Sequence, residues 1–359
     1  MQKNVTLGRV IRVCLLLSMV FIVVLGISLM MGSVKIDPWR AIKYILNFRQ
    51  DGASALSPLD ITIIFSLRLP RVIFAGIIGA AMALVGTVFQ ALLRNPLADP
   101  YILGISGGSA VGAIIGITLG AASLPAGVAA TAFAGAICAI MFVFGIAGRE
   151  KTLTTNTLLL AGVIVNAFFS SLIMFLLSMS SRSELHHVLF WLMGDLSLAS
   201  RGEIVLTGVF LLTLSAVIYR ESRAINLLVM GEETALQLGI NVEGTKKRLF
   251  FAASLLTAVA VSSSGIIGFV GLLVPHMMRM LFGADHRMLL PASALFGASF
   301  LAVADSIART VAAPVELPVG VITALCGAPF FIYLLRKRTA NFALTDAGRA
   351  GTLPVRKRR

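Results

Sequence analysis

Charged side chains that could do chemistry are scarce in this chain, and two of them follow an apolar run. Asp305 and Arg309 come directly after the charge-free residues 288–304 and lie four positions apart. A carboxylate inside a membrane span costs about 2.5–3.5 kcal/mol or more, so such a residue is a functional candidate by default. Residues four apart on a helix are neighbours, which favours a neutralised Asp305–Arg309 ion pair. A proton relay through Asp305 remains the alternative.

The residue types of enzymes and metal sites are present but do not group. The four histidines form no ligand set, and His276 is interpreted as structural. Gly244-Thr245-Lys246 lacks the loop of an ATP-binding G-x-x-x-x-G-K-[ST] motif. The cysteines lie in apolar runs without a C-x-x-C partner and are interpreted as core residues: Cys14, Cys138 and Cys326. The sequence therefore predicts no catalytic residue, no metal site and no cofactor.

A basic pair, Arg68 and Arg71, stands in the sequence R-L-P-R at the start of an apolar run. Two interpretations are open. Long basic side chains can reach out from a span to lipid phosphates. Alternatively, the pair forms a basic patch that faces an acidic partner.

The elements that carry these residues are predicted to be membrane-spanning helices. The 359 residues are 58% hydrophobic and only 13% charged, whereas soluble domains carry about 25% charged residues. A span needs about 20 apolar residues. The charge-free runs are Val13–Val34, Val72–Leu93, Pro100–Gly148, Thr152–Ser181, Ile204–Tyr219, Leu249–Met278, Met288–Ala304 and Leu317–Leu335. They predict an all-α polytopic membrane protein with about ten transmembrane helices, formed by a single transmembrane domain over residues 1–338.

The net charge of +14 is explained by membrane topology and not by a nucleic-acid partner. If the N-terminus is cytoplasmic and ten spans alternate, most of the 30 Lys and Arg fall on the cytoplasmic side. They include Arg9, Arg12, Arg220, Arg223, Lys246, Lys247, Arg248 and a loose basic tail over residues 339–359. This asymmetry predicts that both termini are cytoplasmic.

The segment 220–248 is the longest well-charged stretch between two strongly apolar blocks. Glu232 and Glu233 suit the positive end of a short helix, and Gly239 suits its C-terminal stop. Ala235 and Leu238 would share one face. A short amphipathic helix held at the membrane surface by two spans can serve as a docking element. The alternative is a solvated loop that only joins the spans.

Three further stretches stand out from the apolar pattern: a break, a span with a glycine face and a span with polar residues. Residues 95–101, N-P-L-A-D-P-Y, carry turn signals, and such a break at membrane depth often marks a transport pathway. The next span places five glycines at i, i+4 spacing, which predicts close helix packing: Gly104, Gly108, Gly112, Gly116 and Gly120. The span 154–179 carries Thr155, Asn156, Asn166, Ser170 and Ser171. These polar residues predict either hydrogen bonds between helices or a pore wall.

Several motifs together resemble those of the FecCD/BtuC-type permeases, the membrane subunits of ABC importers. The resemblance covers about residues 60–336. It rests on R-L-P-R at Arg68, G-x-x-F-Q-A-L-L-R-N-P-L-A-D-P at Gly86, L-G-I-S-G-G at Leu103, M-G-E-E-T-A-L-Q-L-G at Met230, G-I-I-G-F-V-G-L-L-V-P-H at Gly265 and E-L-P-V-G-V-I-T-A-L-C-G-A-P-F-F at Glu316.

The resemblance implies a type II importer permease in the cytoplasmic membrane of a bacterium or archaeon. It implies ten helices, a homodimer with the pathway on its two-fold axis, two cytoplasmic ATPase subunits and an extracytoplasmic substrate-binding protein. The implied ATPase contacts are Gly231, Glu232, Glu233, Ala235, Leu238 and Gly239. The implied binding-protein contacts are Arg68, Arg71 and Arg309. The implied gate residues are Asn95, Leu97, Thr155 and Asn156, with Asn166 and Ser170 along the pathway.

The expected function is import of an iron chelate by alternating access. A ferric siderophore is the first choice, because iron chelates are the commonest cargo of the family; haem and vitamin B12 follow, and molybdate is a further candidate. Two other classes remain open. One is a secondary transporter driven by protons through Asp305, and the other is a structural scaffold that transports nothing.

Overall fold

The computed structural model describes residues 5–32, 34, 36–37, 57–124, 126–147, 154–197 and 199–350, and this part of the chain contains helices and no strand. The helices are α1 Leu7–Met30, α2 Pro58–Leu92, α3 Ile105–Thr118, α4 Gly127–Ala147, α5 Thr155–Met179, α6 Arg182–Leu192, α7 Arg201–Arg220, α8 Ser222–Met230, α9 Glu232–Gln237, α10 Val242–Ser264, α11 Val270–Phe282, α12 His286–Ala308 and α13 Val319–Ala350.

Six of the described helices are long and apolar enough to cross a membrane: α1, α2, α4, α5, α7 and α12. Three shorter apolar helices accompany them, formed by α3, α11 and residues Val319–Leu334 of α13. Helix α10 has 23 residues, and its first turns carry charged side chains. The all-α polytopic fold is confirmed, whereas the count of ten spans and the side of the termini stay predictions.

Helix α2 is the centre of the bundle. Every residue from Ile78 to Leu92 is buried, and the helix packs against α12, α11, α10 and α7. Glycines allow this crowding, because a Cβ at Gly79 would overlap the carbonyl of Gly297, and one at Gly86 would overlap the carbonyl of Gly271. Close backbone approach at small residues is the usual way in which membrane helices associate. The second half of α2 is therefore surrounded by protein up to Leu92.

The predicted glycine face of α3 packs as expected over its central part. Cβ atoms at Gly108 and Gly112 would collide with α4 backbone at Gly135 and Thr131. The outer members serve another purpose. Gly104 and Gly120 lie at the ends of the helix with φ of 73° and 76°, a left-handed conformation that glycine adopts at little cost.

Residues 220–248, called the docking segment below, contain the end of α7, the two short helices α8 and α9, and the first turns of α10. Glu232 and Glu233 occupy the first turn of α9, and Gly239 follows it with φ of 82°. The predicted short helix is thus confirmed, and α8 is an additional helix that the sequence analysis did not identify. At the other end of the chain α13 continues to Ala350, so residues 339–350 of the predicted tail are helical; residues 351–359 lie outside the described part, and the tail stays a prediction.

Candidate functional site

The central helix α2 ends in a turn that is stabilised by bonds within the turn itself. Arg94 adopts φ of 47°, and the backbone N–H of Asn95 donates to the carbonyl of Gln90 at 3.1 Å. The Asn95 side-chain oxygen accepts a hydrogen bond from the N–H of Leu97 at 2.9 Å, which is an Asx turn. Leu97 is 49% exposed at the tip of this turn.

The residues after the turn connect it to the loop before α11. Asp99 caps the short helical turn Pro100–Leu103 by accepting a hydrogen bond from the N–H of Tyr101 at 2.9 Å. The Tyr101 hydroxyl donates to the carbonyl of Ile267 at 2.8 Å and accepts from the N–H of Ile267 at 2.9 Å. Burial raises the pKa of the Asp99 carboxyl to about 6. The broken backbone therefore finds hydrogen-bond partners within the protein.

The beginning of α5 lies against the end of α2. The Thr155 hydroxyl donates to the carbonyl of Leu92 at 3.4 Å, which is one of the carbonyls that a helix leaves free at its C-terminus. Thr154 caps α5 by accepting from the N–H of Thr157, and Asn156 is exposed. The structure thus brings together the two segments predicted to form a gate.

Glu232, at the start of α9, joins three elements. One carboxylate oxygen lies 3.4 Å from a guanidinium nitrogen of Arg94, in the turn after α2. The other oxygen lies 3.0 Å from the ammonium of Lys246 on α10. The Lys246 side chain is only 5% exposed and also lies 3.7 Å from Glu243. A buried ammonium requires paired acceptors, so Glu232 is held between a fixed cation and the turn.

A cavity of about 780 Å³ lies beside this ion-pair group. It is lined by residues of the α5 start and of the docking segment: Thr154, Thr155, Asn156, Glu232, Leu236, Asn241, Val242, Glu243 and Lys246. The predicted gate residues Thr155 and Asn156 and the predicted ATPase contact Glu232 therefore border one space.

Helix α8 is fixed to the beginning of α12. The Asn226 amide nitrogen donates to Asp285 at 2.9 Å, and its oxygen accepts from the backbone N–H of His286 at 2.8 Å. Asp285 also binds the Arg287 guanidinium at 2.6 Å and caps α12. These hydrogen bonds lower the pKa of Asp285 to about 2.

A charged cluster occupies the opposite end of α2 and α12. Asp305 is fully buried and lies 3.0 Å from the guanidinium of Arg71 and 3.0 Å from that of Arg309. Arg71 also contacts Glu316 at 2.7 Å. The predicted Asp305–Arg309 pair is present, and Arg71 is a second partner that the sequence analysis did not identify. Two carboxylates and two guanidinium groups balance one another across three segments of the chain.

The guanidinium groups of Arg68 and Arg309 cap the C-terminal end of α1. Arg68 donates to the carbonyls of Leu29 at 2.9 Å and Val34 at 2.5 Å. Arg309 donates to the carbonyls of Ser28 and Met31, each at 3.4 Å. A helix C-terminus leaves carbonyls without partners and is negative, so buried guanidinium groups are suited to capping it.

Comparison with known proteins identifies the family. The FecCD transport family matches residues 20–337, which is most of the chain. The chain belongs to the FecCD transport family.

Named relatives agree with this assignment. A cobalamin import system permease protein of Halobacterium salinarum is 46% identical over 276 residues, which cover 77% of this chain and 74% of that protein. A hemin transport system permease protein of Yersinia pestis is 38% identical and covers 89% of this chain and 95% of its own length. A solved structure of a metal-chelate type ABC transporter in an inward-facing conformation has a TM-score of 0.78 at 31% identity, covering 91% of this chain and 99% of that one.

This FecCD-family protein is thus a permease of an ABC importer, a multi-pass protein of the cell membrane and not an enzyme. Its docking segment presents only some of the residues implied as ATPase contacts. Glu233, Leu238 and Gly239 are exposed, and Gly231 and Glu232 are half-buried. Ala235 is fully buried, so it packs within the permease and does not reach a partner in this conformation.

The binding-protein contacts implied by the family resemblance are placed differently from expectation. Arg68 is 5% exposed and Arg309 is 3% exposed, and both guanidinium groups are engaged with α1. Both side chains are thus buried in this conformation, and docking through Arg68 and Arg309 stays a prediction. The side chain of Arg71 is 14% exposed, and Glu316 beside it is 40% exposed. Docking through Arg71 stays a prediction.

The polar residues of α5 lie at its surface. Asn166 and Ser170 are exposed, and in the described part of the chain neither forms a hydrogen bond to another helix. Ser171 donates to the carbonyl of Ala167 within its own helix. The described residues thus give no support for hydrogen bonding between helices at Asn166 and Ser170, and the pathway role stays a prediction.

Three exposed apolar side chains on the docking segment were not predicted as a group from the sequence. Met230 is 71% exposed, Leu236 59% and Leu238 60%. These three residues are named the docking patch below. The apolar pattern of α8 and α9 could have suggested them, but only the folded segment shows that all three side chains are left exposed.

Proposed function

We propose that the chain imports a metal chelate by alternating access, as one of two identical permease subunits. Two ATPase subunits would bind the docking segment, and a substrate-binding protein would deliver cargo at the opposite face. The observation that carries this proposal is the docking patch. Its three side chains lie outside the six long apolar helices and are exposed in the part of the chain that the structure describes.

The docking patch has the character of a protein-binding surface. Grouped exposed apolar side chains with polar neighbours mark interaction sites, and Glu233 and Gln237 on the same helix are exposed. The segment is also seated firmly, because α8 packs against α2 and α12 and Asn226 binds both Asp285 and His286. When a bound partner moves the docking patch, the movement would therefore be passed to α2 and α12.

A second copy of the chain would cover α5. Its exposed face combines the polar residues Asn156 and Ser170 with apolar residues such as Leu160, Val163 and Met174. A face of this kind suits a pathway between two subunits, where a large cargo is held by weak contacts. No charged side chain lies between Thr155 and Met179, which favours passage of a bulky chelate over capture of a small ion.

The class of cargo is proposed from the relatives. From the sequence, a ferric siderophore is the first expectation, with haem and vitamin B12 as alternatives. The relative with 46% identity is a cobalamin permease and the one with 38% is a hemin permease. We therefore place cobalamin first, followed by haem and then a ferric siderophore. Uptake of each compound into vesicles that contain the complete importer would distinguish them.

The test of the proposed function is assembly with the cognate ATPase and hydrolysis of ATP in lipid. The full-length chain should co-purify with the ATPase in equal numbers and should support ATP-dependent uptake. Leu236→Glu should weaken assembly about tenfold or more, since a buried charge at a hydrophobic contact costs at least about 1.4 kcal/mol. Gln237→Glu is the matched control, because it adds the same charge at the neighbouring exposed position. Full assembly of Leu236→Glu, or uptake without any ATPase, would contradict the proposal.

A further inference from the structure

We propose that Glu232 is the positioning residue that transmits movement of the docking segment to the turn after α2. The inference rests on the proposed function, since it assumes that an ATPase moves α8 and α9. It differs from the role implied by the family resemblance, in which Glu232 is one of several ATPase contacts.

The geometry assigns each carboxylate oxygen of Glu232 to a different element. One oxygen pairs with Arg94 at 3.4 Å and the other with Lys246 at 3.0 Å. A carboxylate accepts at both oxygens, whereas an amide of the same shape accepts at one and donates at the other. Glutamate can therefore hold two cations at once, and glutamine cannot.

Arg94 is suited to carry a displacement into the turn. Its backbone is in the left-handed conformation, with φ of 47°, and it directly precedes Asn95 in the turn that also contains Leu97. A residue other than glycine in this region is held there by its surroundings. The bond from the Asn95 N–H to Gln90 and the Asx turn to Leu97 make the following residues one rigid unit. A shift of the Arg94 side chain would therefore act on the whole turn.

Lys246 makes the connection specific to Glu232. Its side chain is 5% exposed, and its nearest carboxylates are Glu232 at 3.0 Å and Glu243 at 3.7 Å. Glu243 lies on the same helix as Lys246, whereas Glu232 joins this ammonium to α9. The ion pair with Lys246 of α10 holds Glu232 in place. When α9 displaces Glu232, the ion pair with Arg94 transmits the displacement to the turn after α2.

Space for the movement is present. The cavity of about 780 Å³ separates the start of α5, at Thr155 and Asn156, from Leu236 on α9. Helix α9 borders this space at Glu232 and Leu236, so it has room to shift toward the start of α5. By contrast, α8 has a buried face, Ala224, Ile225 and Leu228, that is packed on the bundle. Movement at α9 would thus reach the turn through Glu232.

The experiment uses the complete importer in lipid vesicles. In a chain whose three native cysteines are replaced by serine, Leu97→Cys reports on the turn through its rate of reaction with fluorescein maleimide. The rate is compared without nucleotide and with ATP and vanadate. In the parent the rate should change by about fivefold or more, the lower end of typical coupling between sites. Glu232→Gln and Arg94→Gln should each reduce the change to less than about twofold, with the ATPase still bound in equal numbers.

The matched control is Glu221→Gln. Glu221 forms an ion pair with Arg248 of α10 at 2.8 Å. This variant therefore also removes an ion pair with α10, but it leaves Arg94 and the turn unchanged. It should respond to nucleotide as the parent does. A full response in Glu232→Gln would overturn the inference, and so would loss of ATPase binding in that variant. Absence of any response in an assembled parent would also overturn it, whereas failure of the parent to bind the ATPase would contradict the proposed function itself.

Discussion

The side-chain amide of Gln90 donates to the carbonyl of Gly271 at 3.3 Å, and this carbonyl lies four residues before Pro275. Proline has no N–H, so the carbonyl four residues earlier in a helix loses its partner. Gln90 supplies the missing donor from α2, and Arg279 holds the Gln90 oxygen at 2.9 Å. The interior proline of α11 is thus accommodated by a side chain of the central helix.

Replacement of Gln90 by leucine should therefore destabilise the protein. The buried carbonyl of Gly271 and the guanidinium of Arg279 would each lose a partner, and an unsatisfied buried polar group costs about 1–3 kcal/mol. Thermal unfolding of the purified permease in detergent measures the effect. Thr87→Val is the control, because the buried Thr87 hydroxyl bonds only to Ala83 of its own helix. Equal melting temperatures for both variants would refute this role of Gln90.

Asp305 should prove structural. Asp305→Asn leaves Arg71 and Arg309 without their shared buried carboxylate, and breaking a buried ion pair costs about 3–5 kcal/mol. Glu316→Gln removes a 40% exposed member of the same cluster and should cost less than about 1 kcal/mol. Folded yield and melting temperature test both.

A proton relay predicts a different outcome for the same variant. Asp305→Asn would then fold normally and lose proton-coupled transport, which the parent chain would carry out without an ATPase. Uptake by the chain alone in vesicles with a proton gradient is the deciding measurement. We expect none, because Asp305 is fully buried between two guanidinium groups.

Arg68 and Arg71 should separate into two roles. Arg68→Gln should lower the melting temperature, because it weakens the hydrogen bonds to the carbonyls of Leu29 and Val34 at the end of α1. Arg71→Glu should instead slow association with the substrate-binding protein, with a change in salt dependence, since charges at an interface act mainly on the association rate. Binding kinetics at several salt concentrations measure the second effect. Unchanged association of Arg71→Glu at every salt concentration would exclude Arg71 from docking.

Asp285 should make stability depend on pH below about 4. Its pKa is lowered from 3.8 to about 2 in the folded protein. A lowered pKa contributes stability that is present above pH 3.8 and is lost as the pH falls through about 2. Asp99, whose pKa is raised to about 6, has the opposite effect. Its contribution makes the folded protein more stable as the pH falls from about 6 to about 4.

The difference between the parent and Asp285→Asn isolates the contribution of Asp285. Asparagine keeps the cap of α12 but loses the ion pair with Arg287, so the difference should be about 1 kcal/mol at pH 6 and close to zero at pH 2. Denaturant unfolding at several pH values would measure it. A difference that stays constant over this range would show that the charge of Asp285 has no part in stability.

The sequence alone determined the class of the protein and the position of its functional segments. Apolar runs longer than about 20 residues can only be buried in lipid or in other helices, so the all-α membrane fold follows from composition. Gly239 and the acidic pair Glu232 and Glu233 specify a short helix locally, and N-P-L-A-D-P-Y specifies a break, because capping and proline effects act within a few residues.

Only the tertiary structure decided which charges meet. Arg71 and Asp305 are 234 positions apart, and Arg94 and Glu232 belong to different parts of the chain, so no periodicity connects them. Burial also depends on packing between elements. It hides Ala235, assigns Arg68 and Arg309 to the end of α1, and leaves Met230, Leu236 and Leu238 exposed. Sequence spacing reports neighbours along one helix, whereas these relationships arise between helices that meet only in the folded bundle.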